Sequence, residues 1–271
     1  MSLAPVQSQP SQIALDFVAG RASMSTTLVS LAQGAARVAG INELESTVSA
    51  DPDFSLRVLA LANSAFYSPL HEVTSLRGAL IALGADTVQK LAANLLARSL
   101  LATPSKAGAG LWLHSQAVSL TAQMLAETHR RVDPQQAFVA GLLHDVGLLA
   151  SLSCDANSQT AIAEHGALGG EIADLLGLSP ALSSVIRCHD DTVLEQLVSR
   201  PLNATVYIAN VIASRRGFGH ESEPPEDCEA ATAVAGSLGL QPADIERLGN
   251  LLPERLEDLQ ASMGEFAETS E

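Results

Sequence analysis

Apolar residues recur along this chain at three- and four-residue intervals, the spacing of helices with one buried face, and the second half holds no alternating stretch long enough for a strand. Residues 1–12 are polar and proline-containing and predict a disordered end. Helices are expected between about Gln12 and Val38, closed by the small, permissive run from Gly34 to Gly40. Asp51 reads as an N-cap with Pro52 at the first helical position, and Leu56, Leu59, Ala60, Asn63 and Phe66 follow on one face. Asn63 in that register is expected to point inward and join helices by hydrogen bonds. Leu76, Ala79, Leu80 and Leu83 mark a helix that Gly84 should end, and Val88, Leu91, Ala92, Leu95 and Leu96 mark another from near Asp86. The small and helix-breaking residues Thr103–Gly110 predict a linker.

Five helices are predicted in close succession after it. The first aligns His114 with Ala117, Val118, Thr121, Ala122 and Leu125. Asp133-Pro134 caps the second, which aligns Ala137, Ala140, Gly141, His144 and Leu148. The third aligns His165 with Leu168, Gly169, Ile172, Ala173 and Leu176 and stops at Gly177. Ser179-Pro180 caps the fourth, which aligns Leu182, Val185, Ile186 and His189; the fifth, from about Leu202 to Arg215, carries Asn210 beside Val206 and Ala213. Two short helices, about Cys228–Leu238 and Pro242–Leu251, precede an acidic end.

Composition agrees with an all-α chain: 47% of the 271 residues are hydrophobic but only 3% aromatic. Of the formal charge of −15, the segment 221–271 carries −11, from 13 acids and 2 bases, so it is expected to pack loosely and serve solubility or a basic partner. No basic stripe exists to replace phosphate counterions, which excludes nucleic acid as the expected partner. Three cysteines without CxxC spacing argue against a disulfide framework or a zinc ribbon. The first residues lack a basic start and an apolar core, and no run of eighteen apolar residues follows. A soluble, cytoplasmic protein with no membrane association is therefore expected.

The histidines change this picture. His114, His144, His165 and His189 each fall on the apolar stripe of a different predicted helix, so packing the helices turns four imidazoles into one interior. Each could be separately hydrogen-bonded to a backbone acceptor. A shared cation would satisfy all of them together, with Asp145 supplying the negative charge that a divalent ion needs in a low-dielectric interior. Imidazoles with a carboxylate suit Fe, Mn, Ni or Zn rather than Ca or Mg. Adjacent helical residues diverge by about 100°, so His144 and Asp145 can share a cation only at a helix end or distortion, for which Gly147 offers backbone freedom.

These residues resemble the HDOD family, a bacterial signalling module related to the HD superfamily of metal-dependent phosphohydrolases and to the HD-GYP phosphodiesterases. Asp51-Pro-Asp-Phe-Ser-Leu-Arg-Val-Leu59, Ala62-Asn-Ser-Ala-Phe-Tyr67 and Ala79-Leu-Ile-Ala-Leu-Gly84 are similar to its most diagnostic block, and Gly141-Leu-Leu-His-Asp-Val-Gly147 to its HD segment. The resemblance spans about residues 12–215. It implies metal ligation by His114, by the pair His144 and Asp145, and by His165 and His189. Asp190 stands where the family has the second of two histidines, and Asn210 where it has a closing aspartate. The glycine-rich signature of cyclic-di-GMP hydrolases is absent after His189.

The resemblance also implies an organisation: a disordered end over 1–12, an N-terminal helical subdomain over 13–105, an HD-like helical bundle over 106–220, and an acidic helical segment and tail over 221–271. Replacing aspartate by Asn210 removes an anionic ligand, which weakens cation binding and the activation of a bound water. The expected function is therefore regulatory, with no catalytic residue, a degenerate metal site and signalling protein partners. The alternative is an active phosphohydrolase for which a nucleotide or cyclic dinucleotide is the candidate ligand.

Overall fold

The computed structural model describes residues 11–20, 25–35, 40–67, 69, 72–101, 106–153, 164–190, 193–219 and 228–264. Among these there are helices and turns and no strand. The expected disorder over 1–10, the linker positions 103–105 and the tail over 265–271 lie outside the described residues.

Local chemistry places the helix starts. Asp51, Asp133 and Ser179 each accept a hydrogen bond from the backbone N–H three residues on, at 3.0, 2.9 and 3.4 Å, with proline at the next position in each case. These open α4 (Pro52–Ala62), α7 (Pro134–Leu143) and α10 (Pro180–Cys188). Gly84, at φ 76° and ψ 162°, breaks α5 (Leu76–Leu101) as expected. Gly177, at φ 67°, ends α9 (His165–Leu175), with the N–H of Leu178 donating back to the carbonyl of Ala173.

Two cores form. The smaller gathers α2 (Thr26–Ala32), α3 (Ile41–Ser49), α4 and the first part of α5 around Leu31, Val48, Phe54, Val58, Leu61 and Leu80. The larger holds the end of α5, then α6 (Lys106–His129), α7, α8 (Val146–Ser153), α9, α10, α11 (Leu194–Ser199) and α12 (Pro201–Ala213). Helix α5 runs through both, with Val88, Leu91 and Ala92 in the first and Ala93, Leu96, Ala97 and Leu100 in the second. The first described helix, α1 (Gln12–Ala19), also belongs to the larger core, since Ala14 and Phe17 pack there and Ser11 is hydrogen-bonded to Glu171 of α9.

Five expectations are corrected. In α4 the buried face is Phe54, Val58, Leu61 and Ala62, while Leu56 and Phe66 are 66% and 54% exposed. Both stripes have helical spacing, and the one that carries Phe54 turns inward. Asn63 is exposed at the end of α4, and its amide still ties the turn together by bonding the carbonyls of Leu59 and Val73 and the N–H of Val73. Residues 106–110, expected in a linker, are the first turn of α6. The acidic end is not a loose appendage: α13 (Cys228–Ser237) and α14 (Pro242–Gly264) place Val234, Leu248, Leu252, Leu256 and Leu259 in the larger core. Helix α14 continues past Pro253, beyond the expected stop at Leu251, because Leu256 and Leu259 extend its apolar stripe along α6.

The end of α6 is fastened to α12 by a neutral imidazole. Nδ1 of His129 accepts from the N–H of Arg131, so Nε2 carries the proton and donates to Thr205 Oγ1 at 3.0 Å, which donates in turn to the carbonyl of Pro201. Burial and the nearby Arg131 lower the affinity of His129 for a second proton. A group with its pKa depressed in the folded state stabilises the fold above the unfolded value near 6.5 and loses that contribution as pH falls. Denaturant unfolding should show the stability gap between the native protein and His129→Gln shrinking as pH falls from about 7 to about 5.

Candidate metal centre

Four imidazoles and two carboxylates meet where α6, α7, α8, α9 and α10 converge. His114 stands within α6. His144 is the C-cap of α7, and Asp145 follows it in the turn whose carbonyl accepts the first hydrogen bond of α8. Breaking the helix at this pair lets two adjacent residues face one point. His165 is the first residue of α9, and His189 is the C-cap of α10.

Three rings are held by backbone. Nδ1 of His144 lies 2.7 Å from the carbonyl of Gly141, Nδ1 of His189 lies 2.9 Å from that of Ile186, and Nδ1 of His114 lies 2.8 Å from that of Phe218. A carbonyl only accepts, so each Nδ1 carries a proton and each Nε2 is the atom that takes a further proton or a cation. The first two bonds satisfy carbonyls that the last turn of a helix leaves without an intrahelical donor. The third reaches across to the π-helical turn Ser214–Phe218 that extends α12.

The Nε2 atoms then converge on Asp145. Its Oδ2 lies 3.2 Å from Nε2 of His144 and 3.7 Å from that of His114; its Oδ1 lies 3.0 Å from Nε2 of His189 and 3.3 Å from that of His165. Asp190 approaches the same two rings, at 3.1 Å from His165 and 3.4 Å from His189. The Nε2 pairs of His114 with His144 and of His165 with His189 are separated by only 3.2 and 3.0 Å. Two lone pairs facing at such a distance repel unless a cation or a proton lies between them. With bonds of about 2.0–2.2 Å to imidazole and carboxylate, ligand atoms around one ion stand roughly 3 Å apart, the spacing found here. The residues thus fit a metal, in two sets that share Asp145: His114 and His144 with Oδ2, and His165 and His189 with Oδ1.

Electrostatics place positive charge among these rings. Burial opposes the charge on Asp145, yet His144, His165 and His189 hold its carboxyl well below the usual carboxylate range. Burial likewise opposes a proton on His165, but the hydrogen bonds it donates to Asp145 and Asp190 raise its pKa to about 10. His189 is raised against its burial by the same carboxylates, and Asp190 is lowered against its burial by His165 and His189. Positive charge on the imidazole side balances two ionised carboxylates inside the fold.

The structure brings six of the seven expected residues together: His114, His144, Asp145, His165, His189 and Asp190. Asn210 lies on α12, which packs on α6, and its Oδ1 is buried without a hydrogen-bond partner. Residues 191–192, read with the absent glycine-rich signature, lie outside the described residues. Two contributors were not read from the sequence. The carbonyl of Phe218 lies 104 residues from His114 and carries no side-chain signal. Gly147, expected to offer backbone freedom, instead provides space: a Cβ there would overlap the carbonyl oxygen of His165 and lie 2.5 Å from the N of Gly169. That contact of α8 with α9 sets His165 against Asp145.

A family profile for the HDOD domain matches residues 24–174, more than half of the chain. The chain belongs to the HDOD family. The match includes His114, His144, Asp145 and His165 and ends before His189 and Asn210. Solved structures share the fold of this HDOD chain along most of its length. An HDOD domain protein of unknown function from Geobacter sulfurreducens has a TM-score of 0.69 at 23% identity, with 93% of this chain and 96% of that one covered. A "putative signal transduction protein" from Marinobacter aquaeolei VT8 has a TM-score of 0.67 at 19% identity; the alignment covers 96% of this chain and 60% of that longer one. A "putative phosphohydrolase" from Shewanella amazonensis SB2B has a TM-score of 0.62 at 21% identity, covering 94% and 98%. No match was found among curated proteins. Among the described residues no helix is long and apolar enough to cross a membrane.

Proposed function

We propose that this HDOD chain is a regulatory module of a signal-transduction system, holding a transition metal through His114, His144, Asp145, His165, His189 and Asp190 and acting on a protein partner without turning over phosphate esters. The observation that carries this reading is the sealing of the cluster. His114 and His144 are 0% exposed, His189 2%, Asp145 3% and His165 7%, which leaves the Asp190 side chain, 35% exposed, as the flank toward solvent. Hydrolysis requires a metal-bound water and a substrate phosphate at the same ion, and a bound metal supplies that chemistry by acidifying water and polarising the ester. Little of this centre is open to a phosphate. The neutral amide of Asn210 also supplies no charge where the family's closing aspartate would stand.

Iron, manganese, nickel or zinc fits a donor set of imidazoles and carboxylates. In this reading Asp145 would serve both histidine pairs, His114 with His144 and His165 with His189. The competing reading, a phosphohydrolase for a nucleotide or cyclic dinucleotide, is favoured by that same divided coordination.

The test is turnover. The full chain, loaded separately with Mn, Fe, Ni and Zn, is assayed against nucleotides, cyclic dinucleotides and bis-p-nitrophenyl phosphate. We expect metal uptake with rates no higher than those of His144→Ala and Asp145→Ala. Hydrolysis that both substitutions abolish would overturn the regulatory reading in favour of the enzyme.

A further inference from the structure

The chain holds two lysines, Lys90 and Lys106, against thirteen arginines. Lys90 is half-buried in α5, where that helix, which runs through both cores, packs on α7. Its Nζ stands over the ring of Phe138, 5.3 Å from the centroid. A cation needed only to rest on an aromatic face is more often arginine, whose flat and weakly hydrated guanidinium stacks well. In a chain that uses arginine almost everywhere, this position carries the cation that can give up its proton and act as a nucleophile.

The surroundings favour the free amine. Among the described residues Lys90 makes no ion pair. Burial lowers its pKa by more than Glu127 of α6 and Asp86 of α5 raise it, and Arg255 of α14 lowers it further. Two acceptors at the same helix contact are unserved. Nδ2 of Asn94, one turn on in α5, donates to the carbonyl of Lys90 at 2.9 Å, while its Oδ1 is buried without a hydrogen-bond partner. Oε1 of Gln135, one turn before Phe138 in α7, is buried in the same condition. The ammonium over the ring bonds neither oxygen, although buried acceptors without a donor are costly.

We propose that Lys90 is a site of acyl modification, taking a small activated acyl group onto Nζ at the contact of α5 with α7. The amine lone pair attacks the acyl carbonyl carbon and a C–N bond forms. The bond from that carbon to a phosphate oxygen or a thioester sulfur breaks, the leaving group keeps the electron pair, and the nitrogen releases a proton to water. The product is a neutral amide, which suits a half-buried position better than an ammonium. Its N–H has the unpaired oxygens of Asn94 and Gln135 as acceptors on the two helices. A carbamate from carbon dioxide would instead set a negative charge near Glu127 and Asp86. None of this depends on a metal at the histidine cluster.

The full chain is treated at neutral pH with acetyl phosphate and, separately, with acetyl-coenzyme A, and acetylation of each lysine is followed by peptide mass spectrometry with Lys106 as the internal reference. Lys90 should react faster than Lys106 by at least about threefold with one donor or both, as a desolvated amine near another cation does, and the donor that achieves this identifies the source. In denaturing urea the two lysines should react alike. Glu127→Gln, an exposed change on α6, removes a charge that favours the protonated amine, so it should raise the ratio of Lys90 to Lys106 further. The native chain alone decides the site, so a variant that fails to fold leaves the result standing. A smaller ratio with both donors, or a preference that survives urea, would overturn the proposal, and so would a folded Glu127→Gln protein whose ratio matches the native one.

Discussion

Gly147→Ala should unfold the centre of this protein more severely than any other single-methyl change. The added Cβ would overlap the carbonyl oxygen of His165 and meet the backbone N and Cα of Gly169 at 2.5 and 2.8 Å. All three are backbone atoms, so no side chain can swing away and α8 must separate from α9. Overpacking of a close-packed core typically costs about 1–3 kcal/mol, and a clash with rigid backbone belongs at or beyond the top of that range. A melting temperature lowered by roughly 10 °C is expected for a chain of this size. Displacing α9 also carries His165 away from Asp145 and Asp190, so metal uptake should fall with stability. Differential scanning calorimetry with metal titration checks both; a variant that melts like the native protein would show that the helices do not approach as described.

Asp145→Ala should have the second large effect, on the ion rather than on packing. This carboxylate is within hydrogen-bonding distance of three imidazoles and faces a fourth at 3.7 Å. Removing it leaves the Nε2 lone pairs of His114 and His144 facing each other, and leaves Asp190 alone to balance His165 and His189. Loss of one partner from a buried charged network costs about 3–5 kcal/mol. Metal affinity should fall by about a hundredfold or more, beyond the 10- to 100-fold typical of losing a residue that only supports a ligand. Asp145→Asn separates the causes, since it keeps the shape and removes the charge. If charge is what holds the ion, the amide variant should lose metal almost as completely as alanine while keeping more of the stability.

Much of the architecture was legible because its signals are local. Asp51, Asp133 and Ser179 announce their helices within four residues, and Gly84 and Gly177 end theirs by a backbone conformation that few other residues adopt. The faces were less legible. Around Leu56 two apolar stripes share helical spacing, and only tertiary packing selects the one with Phe54, Val58 and Leu61. The expected end at Leu251 falls short, because tertiary burial of Leu256 and Leu259 carries α14 on through Pro253. The histidines were legible because each sits on a single apolar stripe. Which ring nitrogen faces inward was not, since that depends on carbonyls supplied by Gly141, Ile186 and the distant Phe218.

The converging Nε2 atoms are proposed to share an ion. The direct measurement is the transition-metal content of the full chain after exposure to iron, manganese, nickel and zinc and exhaustive dialysis, compared with Asp145→Ala. The structure predicts on the order of one ion or more retained per native chain and almost none in the variant. A native protein that keeps no ion, with its fold intact, would contradict it and leave the four imidazoles held by protons and hydrogen bonds alone.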